Sequence, residues 1–133
     1  MNGELLLQEA QGHEQELVEK RHYLHRHAEL GFDLKETVAF VKAELTAMGY
    51  EPKDCGKAGV VVTAGGKKPG KVFLIRGDMD ALPMHEESGV DFASETENMP
   101  ACGDDMHATM MLGAARLLKA HEDEIEGTVK LMF

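Results

Sequence analysis

One stretch of the sequence, Met99–His107, concentrates side chains that can bind a divalent metal ion. It contains the thiol of Cys102, the adjacent carboxylates of Asp104 and Asp105, and the imidazole of His107. The residues that follow recur with helical spacing, so the cluster is predicted to lie in the turn that leads into a helix. The free N–H groups and the positive dipole end at a helix start favour thiolate and carboxylate, which are the forms that bind metals.

A second acidic pair could contribute to the same site. Asp78 and Asp80 come directly after the apolar run Val72–Ile75. In open α/β sheets, ligands and catalytic groups collect at the carboxyl ends of the strands, which favours a functional role for this pair. Purely structural roles stay open for both clusters, because aspartate is common in polar turns and helix caps and a single cysteine is often a small core residue.

The length and composition predict one soluble globular domain comprising residues 1–133, with 43% hydrophobic and 29% charged residues. The formal net charge of −10 argues against nucleic acid and anionic membranes as partners. Two cysteines do not make a disulfide framework, and the sequence shows neither a signal peptide nor a membrane-spanning run. A reducing cytoplasm is therefore the expected location.

Two helices are predicted in the first third of the chain. Residues from about 3 to 28 form the first, and Gly31 is typical of the glycine that follows a helix end. The second covers residues 34–48, and Asp33–Glu36 resembles a capping box at its start. The later helix that follows the metal-binding stretch is predicted to bury one apolar side, made of Met106, Met110, Gly113, Ala114, Leu117 and Leu118.

Three strands are predicted from β-branched and apolar runs at Gly59–Thr63, Lys71–Ile75 and Thr128–Phe133. A short loop rich in turn formers joins the first two, which favours an antiparallel hairpin. The run Val72–Ile75 lacks alternation and is predicted to be covered on both faces. A strand, a helix and another strand fit a right-handed crossover, so the predicted fold class is α/β with a mixed sheet.

The remaining polar residues are given structural roles. Residues 84–101 are expected to form an acidic surface loop, and residues 122–127 a charged turn. His25 and His27 are two positions apart on the first helix and would point to different faces, so a shared metal is not expected. The histidines of that helix are predicted to be surface or packing residues, namely His13, His22, His25 and His27.

Four segments, taken in order, resemble the aminoacylase and hippurate hydrolase family of metal-dependent amidohydrolases, which includes hydrolases of auxin–amino-acid conjugates. Arg21–Phe32 is similar to the family's Arg-x-x-Leu-His-x-x-Pro-Glu-Leu-Gly-Phe, and Arg76–Pro83 to its Arg-Ala-Asp-Met-Asp-Ala-Leu-Pro. Met99–His107 resembles Met-His-Ala-Cys-Gly-His-Asp-x-His, and Gly127–Phe133 resembles the strand before Gln-Pro-Ala-Glu-Glu. Four matches in order over most of the chain are specific.

The resemblance implies part of a zinc-peptidase-like α/β/α sandwich without the family's inserted lid domain. The complete family domain holds two divalent ions, here expected to be zinc or manganese, and cleaves the amide bond of a small N-acyl amino acid. Cys102 falls on a metal ligand, and Asp80 falls on the aspartate that orients the metal site. Asp104 replaces a family histidine ligand, and because carboxylate also binds zinc and manganese, this change does not by itself abolish binding.

The resemblance also implies that residues 1–133 are an N-terminal fragment of the catalytic domain. The family's general-base glutamate and its later ligands fall after Phe133, so the isolated chain is expected to be inactive. The alternative is a non-catalytic remnant or interaction module that forms homo-oligomers through residues 128–133 as an exposed edge strand.

A phosphatase of the haloacid dehalogenase type is another interpretation of Asp78 and Asp80. In that class the nucleophilic aspartate follows its strand directly and is trailed by Thr or Val four positions later. Here Arg76 and Gly77 intervene and Leu82 holds the later position, which disfavours this interpretation.

Overall fold

The computed structural model describes all 133 residues, and its elements are four α-helices, four β-strands and a short 3-10 turn at Glu122–Glu124. None of the helices is long and apolar enough to cross a membrane. In chain order the elements are α1 (Gly3–Gly12), α2 (Glu14–Arg26), α3 (Lys35–Ala47), β1 (Lys53–Cys55), β2 (Gly59–Gly65), β3 (Lys68–Arg76), α4 (Asp104–Ala120) and β4 (Glu126–Met132).

The four strands form one mixed sheet in the order β1-β2-β4-β3. β2 is antiparallel to both of its neighbours, β1 and β4, whereas β3 and β4 are parallel. The parallel pair is joined through α4, so β3, α4 and β4 form the predicted crossover unit. The predicted α/β fold class with a mixed sheet is confirmed.

The predicted hairpin of β2 and β3 is wrong, because β4 lies between them. Thr63 of β2 pairs with Lys130, and Lys130 in turn pairs with Leu74 of β3. The intervening loop therefore spans two strand spacings, about 10 Å, instead of closing a tight turn. Gly65, the last residue of β2, and Gly66 in the loop adopt positive φ angles of 81° and 83°, a conformation that glycine allows without strain.

β4 is an interior strand, and β1 and β3 are the two edges of the sheet. Edge pairing through residues 128–133, the predicted route of self-association, is wrong because both sides of β4 are already hydrogen-bonded to strands of this chain. The prediction that Val72–Ile75 is covered on both faces is also wrong. Val72 is 65% exposed and Leu74 is 59% exposed, because the helices pack over β2 and β4 instead.

The hydrophobic core lies between one face of the sheet and helices α3 and α4. Tyr50 closes this layer, since its buried hydroxyl donates a hydrogen bond of 2.7 Å to the Ala115 carbonyl oxygen of α4. This packing fixes α4 over the sheet, with its first turn near the end of β3. The fully buried side chains of the core include Val41, Leu45, Val60, Val62, Leu112 and Leu131.

α4 buries a different side from the one predicted. Met106 and Met110 are 48% and 60% exposed, although the sequence pattern placed them on the apolar side. The two sides are offset by about one residue, which is a rotation of about 100° on a helix. As a result the two aspartates of the first turn face the protein interior. The buried residues of α4 are Asp104, Asp105, Ala108, Thr109, Met111, Leu112 and Ala115.

The amino-terminal helices differ from the prediction in their ends. The predicted helix over residues 3–28 is interrupted at His13, and α2 ends at Arg26. The predicted capping box at Asp33–Glu36 is wrong, because α3 begins at Lys35 and neither side chain caps it. The carboxylate of Glu29 instead accepts hydrogen bonds from the N–H groups of Glu36 and Thr37, at 3.1 and 2.7 Å.

The attachment of α1 to the end of α4 is expected to weaken as the pH rises. α1 has no buried residue, and Nε2 and Nδ1 of His121 lie 2.7 Å from Glu9 and 2.8 Å from Glu124. The hydrogen bond with Glu9, and then the one with Glu124, raise the pKa of His121. A raised histidine pKa contributes stability that is fully present below its ordinary pKa of about 6.5 and is lost as the pH rises through the raised value.

Chemical denaturation at pH 6 and pH 8 checks this prediction. The wild-type protein should lose stability between the two pH values, and His121→Gln should lose less. The amino group of Met1 also contacts Glu124, at 3.0 Å, so its N-terminal acetylation is a useful second control. An equal pH dependence in wild type and His121→Gln would contradict the assignment to His121.

Candidate metal centre

The crossover from β3 to α4 brings two distant acidic segments together. β3 ends at Arg76, so Asp78 lies just past the carboxyl end of the strand. α4 begins at Asp104, after Gly103 at its N-cap with a φ of 92°. Because the helix runs back over the sheet, its first turn faces the end of the strand it follows. His107 lies one turn further along α4, on the side of Asp104.

Three side chains converge at this point. One ligand atom from each of Asp78, Asp104 and His107 lies within 4.8 Å of the other two. Nδ1 of His107 is 3.1 Å from Oδ1 of Asp104 and 3.8 Å from Oδ1 of Asp78. The Asp104 side chain is only 11% exposed, whereas those of Asp78 and His107 are 38% and 47% exposed. The group therefore has a buried floor and an open side that solvent can reach.

The charge balance of this group favours a bound cation. Burial raises the pKa of Asp104, and the negative charges of Asp78 and Asp80 raise it further. The hydrogen bond with His107 lowers the pKa but does not outweigh these effects. The one neighbouring guanidinium, that of Arg76, lies 3.4 Å from Asp78 and is largely exposed. A cation between the carboxylates would remove the repulsion that these charges produce.

The donor set fits a divalent ion such as zinc or manganese. Two carboxylate oxygens and one imidazole nitrogen are ordinary ligands for both metals. Three protein ligands with one open position are typical of catalytic rather than structural zinc sites. Asp78, Asp104 and His107 all belong to clusters that the sequence singles out. Among these three residues, the sequence analysis predicts only Asp104 as a metal ligand.

The other two predicted site residues lie outside the group of three. Asp80 is half-buried and contributes its charge to Asp104, and its role as an orienting residue stays a prediction. Cys102 is exposed in the turn before α4 and is not among the side chains that converge with Asp104. Its role as a metal ligand therefore also stays a prediction.

A buried network behind the first turn of α4 was not found from the sequence. His25 is 5% exposed and Glu86 is 9% exposed, although the latter was assigned to a surface loop. Nδ1 of His25 lies 2.8 Å from Oδ2 of Asp105, and Nε2 lies 2.8 Å from Oε1 of Glu86. Nε of Arg21 donates a hydrogen bond of 2.8 Å to the same Asp105 oxygen. Because the partners of each of these contacts are 61 to 84 positions apart, no spacing signal connects them.

Comparisons with known proteins find a family match and several relatives. Residues 74–133, which include the end of β3 and all of α4 and β4, match Peptidase family M20/M25/M40. The chain is 38% identical over 122 residues to the N-acetyl-L-cysteine deacetylase of Bacillus subtilis, covering 90% of this chain and 29% of that protein. It is 44% identical over 120 residues to the IAA-amino acid hydrolase ILR1-like 4 of Arabidopsis thaliana, covering 88% of this chain and 27% of that protein.

A solved structure shows the same fold. The Bacillus subtilis YXEP protein, described as a dinuclear metal binding peptidase from the M20 family, superimposes with a TM-score of 0.87 at 36% identity. The match covers 92% of this chain and 35% of that one. The chain thus spans about a third of the length of the relatives that it matches. The resemblance found in the sequence is therefore confirmed: the chain is homologous to these hydrolases, and its residues 74–133 match Peptidase family M20/M25/M40.

Proposed function

We propose that this chain is part of a metal-dependent hydrolase that cleaves the amide bond of N-acyl amino acids. The observation that carries the proposal is the convergence of Asp78, Asp104 and His107 at the end of β3. Two named relatives support the substrate class, because one is a deacetylase of an N-acetyl amino acid and the other a hydrolase of an amino acid conjugate.

Each residue of the site has a proposed role. Asp78, Asp104 and His107 hold a divalent ion, zinc or manganese, and Asp80 keeps the carboxylates oriented. A divalent ion in such a position polarises an amide carbonyl and activates water. Cys102 is proposed as a further ligand, because the turn that carries it adjoins Asp104 and its thiol is accessible. The two free cysteines also support a reducing compartment, and we propose the cytoplasm.

We further propose that residues 1–133 bind a metal ion but do not hydrolyse substrate alone. The three convergent donors are enough for one ion. All of them are proposed as ligands, so none of them is free to act as the general base. Amide hydrolysis needs such a base within hydrogen-bond reach of the attacking water. The resemblance implies that a glutamate and further ligands outside these residues complete the site, together with a second ion.

The test combines binding and turnover on the same preparation. Isothermal titration calorimetry with zinc or manganese chloride should show saturable binding of about one ion per chain. Incubation with N-acetyl and N-benzoyl amino acids, with either metal present, should release no amino acid above the protein-free control. Robust turnover would refute the proposed inactivity, and a lack of metal binding would refute the proposed metal centre.

A further inference from the structure

The buried network behind α4 joins three separate parts of the chain. Asp105 belongs to the first turn of α4, Arg21 and His25 to α2, and Glu86 to the loop after β3. The side chains of His25, Asp105 and Glu86 are at most 6% exposed. Phe92 covers the network, with the Arg21 guanidinium 4.6 Å above its ring and the His25 ring packed edge-on at 5.2 Å.

Glu86 is held as a carboxylate at the far end of this network. Burial alone would raise its pKa, but hydrogen bonds from Ser88, the Ser94 N–H and His25 outweigh burial and lower the pKa. The Ser94 N–H lies 2.8 Å from the same oxygen that contacts His25. The loop is also tied to the end of α2, since Thr96 Oγ1 donates a hydrogen bond of 2.7 Å to the Ala28 carbonyl oxygen. His25 is therefore fixed from both sides.

The two oxygens of the Asp105 carboxylate differ in their hydrogen bonding. Its Oδ2 atom is hydrogen-bonded to both Arg21 and His25, whereas its Oδ1 atom is buried without any hydrogen-bond partner. A buried unpaired oxygen costs free energy, so a residue kept only for stability would be expected to satisfy both atoms. This cost indicates that the orientation of Asp105, rather than maximal stability, is what the network maintains.

Asp105 and Asp104 are adjacent on α4, so their side chains point about 100° apart. The network holds Asp105 towards α2, which leaves Asp104 directed at Asp78 and His107. We propose that Asp105 is a positioning residue, which uses Arg21 and the His25–Glu86 pair to set the rotation of the first turn of α4 and thereby the geometry of the metal ligands. This inference rests on the metal centre proposed above.

The main variant is Asp105→Asn, which keeps the size of the side chain and removes its charge. Partners that orient metal ligands are typically worth about 10- to 100-fold in metal affinity, and a loss in this range is expected by calorimetry with zinc or manganese. The matched control is Glu16→Gln. Glu16 also links α2 to α4, through Arg116 at 2.6 Å, but near the opposite end of α4. The control should change the affinity less than about twofold.

A second readout does not need metal. In the metal-free protein, the N–H groups of Met106 and His107 bond to the Gly103 carbonyl oxygen at 3.0 and 3.1 Å. Their hydrogen exchange, measured by NMR, should become at least about tenfold faster in Asp105→Asn and stay unchanged in Glu16→Gln. Because removal of a buried charge can unfold a protein, Arg21→Gln serves as the milder variant. Arg21 is 30% exposed, and its replacement should produce smaller changes of the same kind.

The outcomes separate this inference from the proposed function. If wild type binds no metal, the metal centre is refuted, and the exchange rates alone decide whether Asp105 orders the first turn. If wild type binds metal and Asp105→Asn and Arg21→Gln bind it as tightly as Glu16→Gln does, the positioning role is refuted. A similar loss of metal affinity in all three variants would indicate a general effect on the fold and would also overturn the inference.

Discussion

Replacing Asp104 with asparagine is expected to weaken divalent-metal binding by more than about 100-fold. Asp104 is the most buried donor of the group and lies closest to His107, at 3.1 Å. Loss of a partner that only orients a ligand already costs about 10- to 100-fold in affinity, so the loss of a ligand should cost more. Titration calorimetry with zinc or manganese measures the change directly.

The same variant should raise the stability of the metal-free protein. Burial and the charges of Asp78 and Asp80 oppose ionisation of Asp104, which its raised pKa reflects. A neutral amide removes this repulsion, so the midpoint of thermal unfolding should increase. Asp123→Asn is a matched control, because Asp123 is 86% exposed and contacts Lys67 away from the site. Unchanged metal affinity in Asp104→Asn would contradict the assignment of Asp104 as a ligand.

Replacing Leu112 with alanine should destabilise the fold by about 3 kcal/mol, a value within the range for buried leucine. Leu112 is fully buried in α4 and belongs to the core that α3, α4 and the sheet share. For a chain of this size the loss corresponds to a fall of about 10 °C in the unfolding midpoint. Urea denaturation measures the free energy of unfolding independently.

Met110→Ala is the control on the same helix. Met110 is 60% exposed, so its truncation should change the free energy of unfolding by less than about 0.5 kcal/mol. The sequence pattern placed Met110 on the apolar side of α4, so the pair also tests the rotation of the helix. A larger loss for Met110→Ala than for Leu112→Ala would show that α4 buries the other side.

Local patterns predicted most of the elements but not how they pair. The helix over residues 35–47, the strands β2, β3 and β4, and the start of α4 all carry periodic or β-branched runs. The position of β4 between β2 and β3 depends on pairing between residues more than 50 positions apart. A short turn-rich loop gives no information about a strand that enters later, and the hairpin was therefore the wrong choice.

The residues of the site were also predicted only in part. The acidic residues at the end of β3 and the start of α4 were visible because each cluster is contiguous in sequence. The buried network of Arg21, His25, Glu86 and Asp105 was not visible, because its members come from three segments that are far apart in the sequence. The helical period of α4 defined a spacing, but which side faces the core depends on the partners of Asp105 and on packing against β2 and β4.

The most direct test of the metal centre is to locate the ion. Crystals of the chain grown with zinc or manganese chloride, with data collected at the absorption edge of the metal, would reveal it by anomalous scattering. The ion is predicted to lie between Asp78, Asp104 and His107, at the usual zinc ligand distances of about 2.0–2.2 Å. An ion bound only at another position would contradict the account. So would the absence of any ion in crystals whose packing leaves this group accessible to solvent.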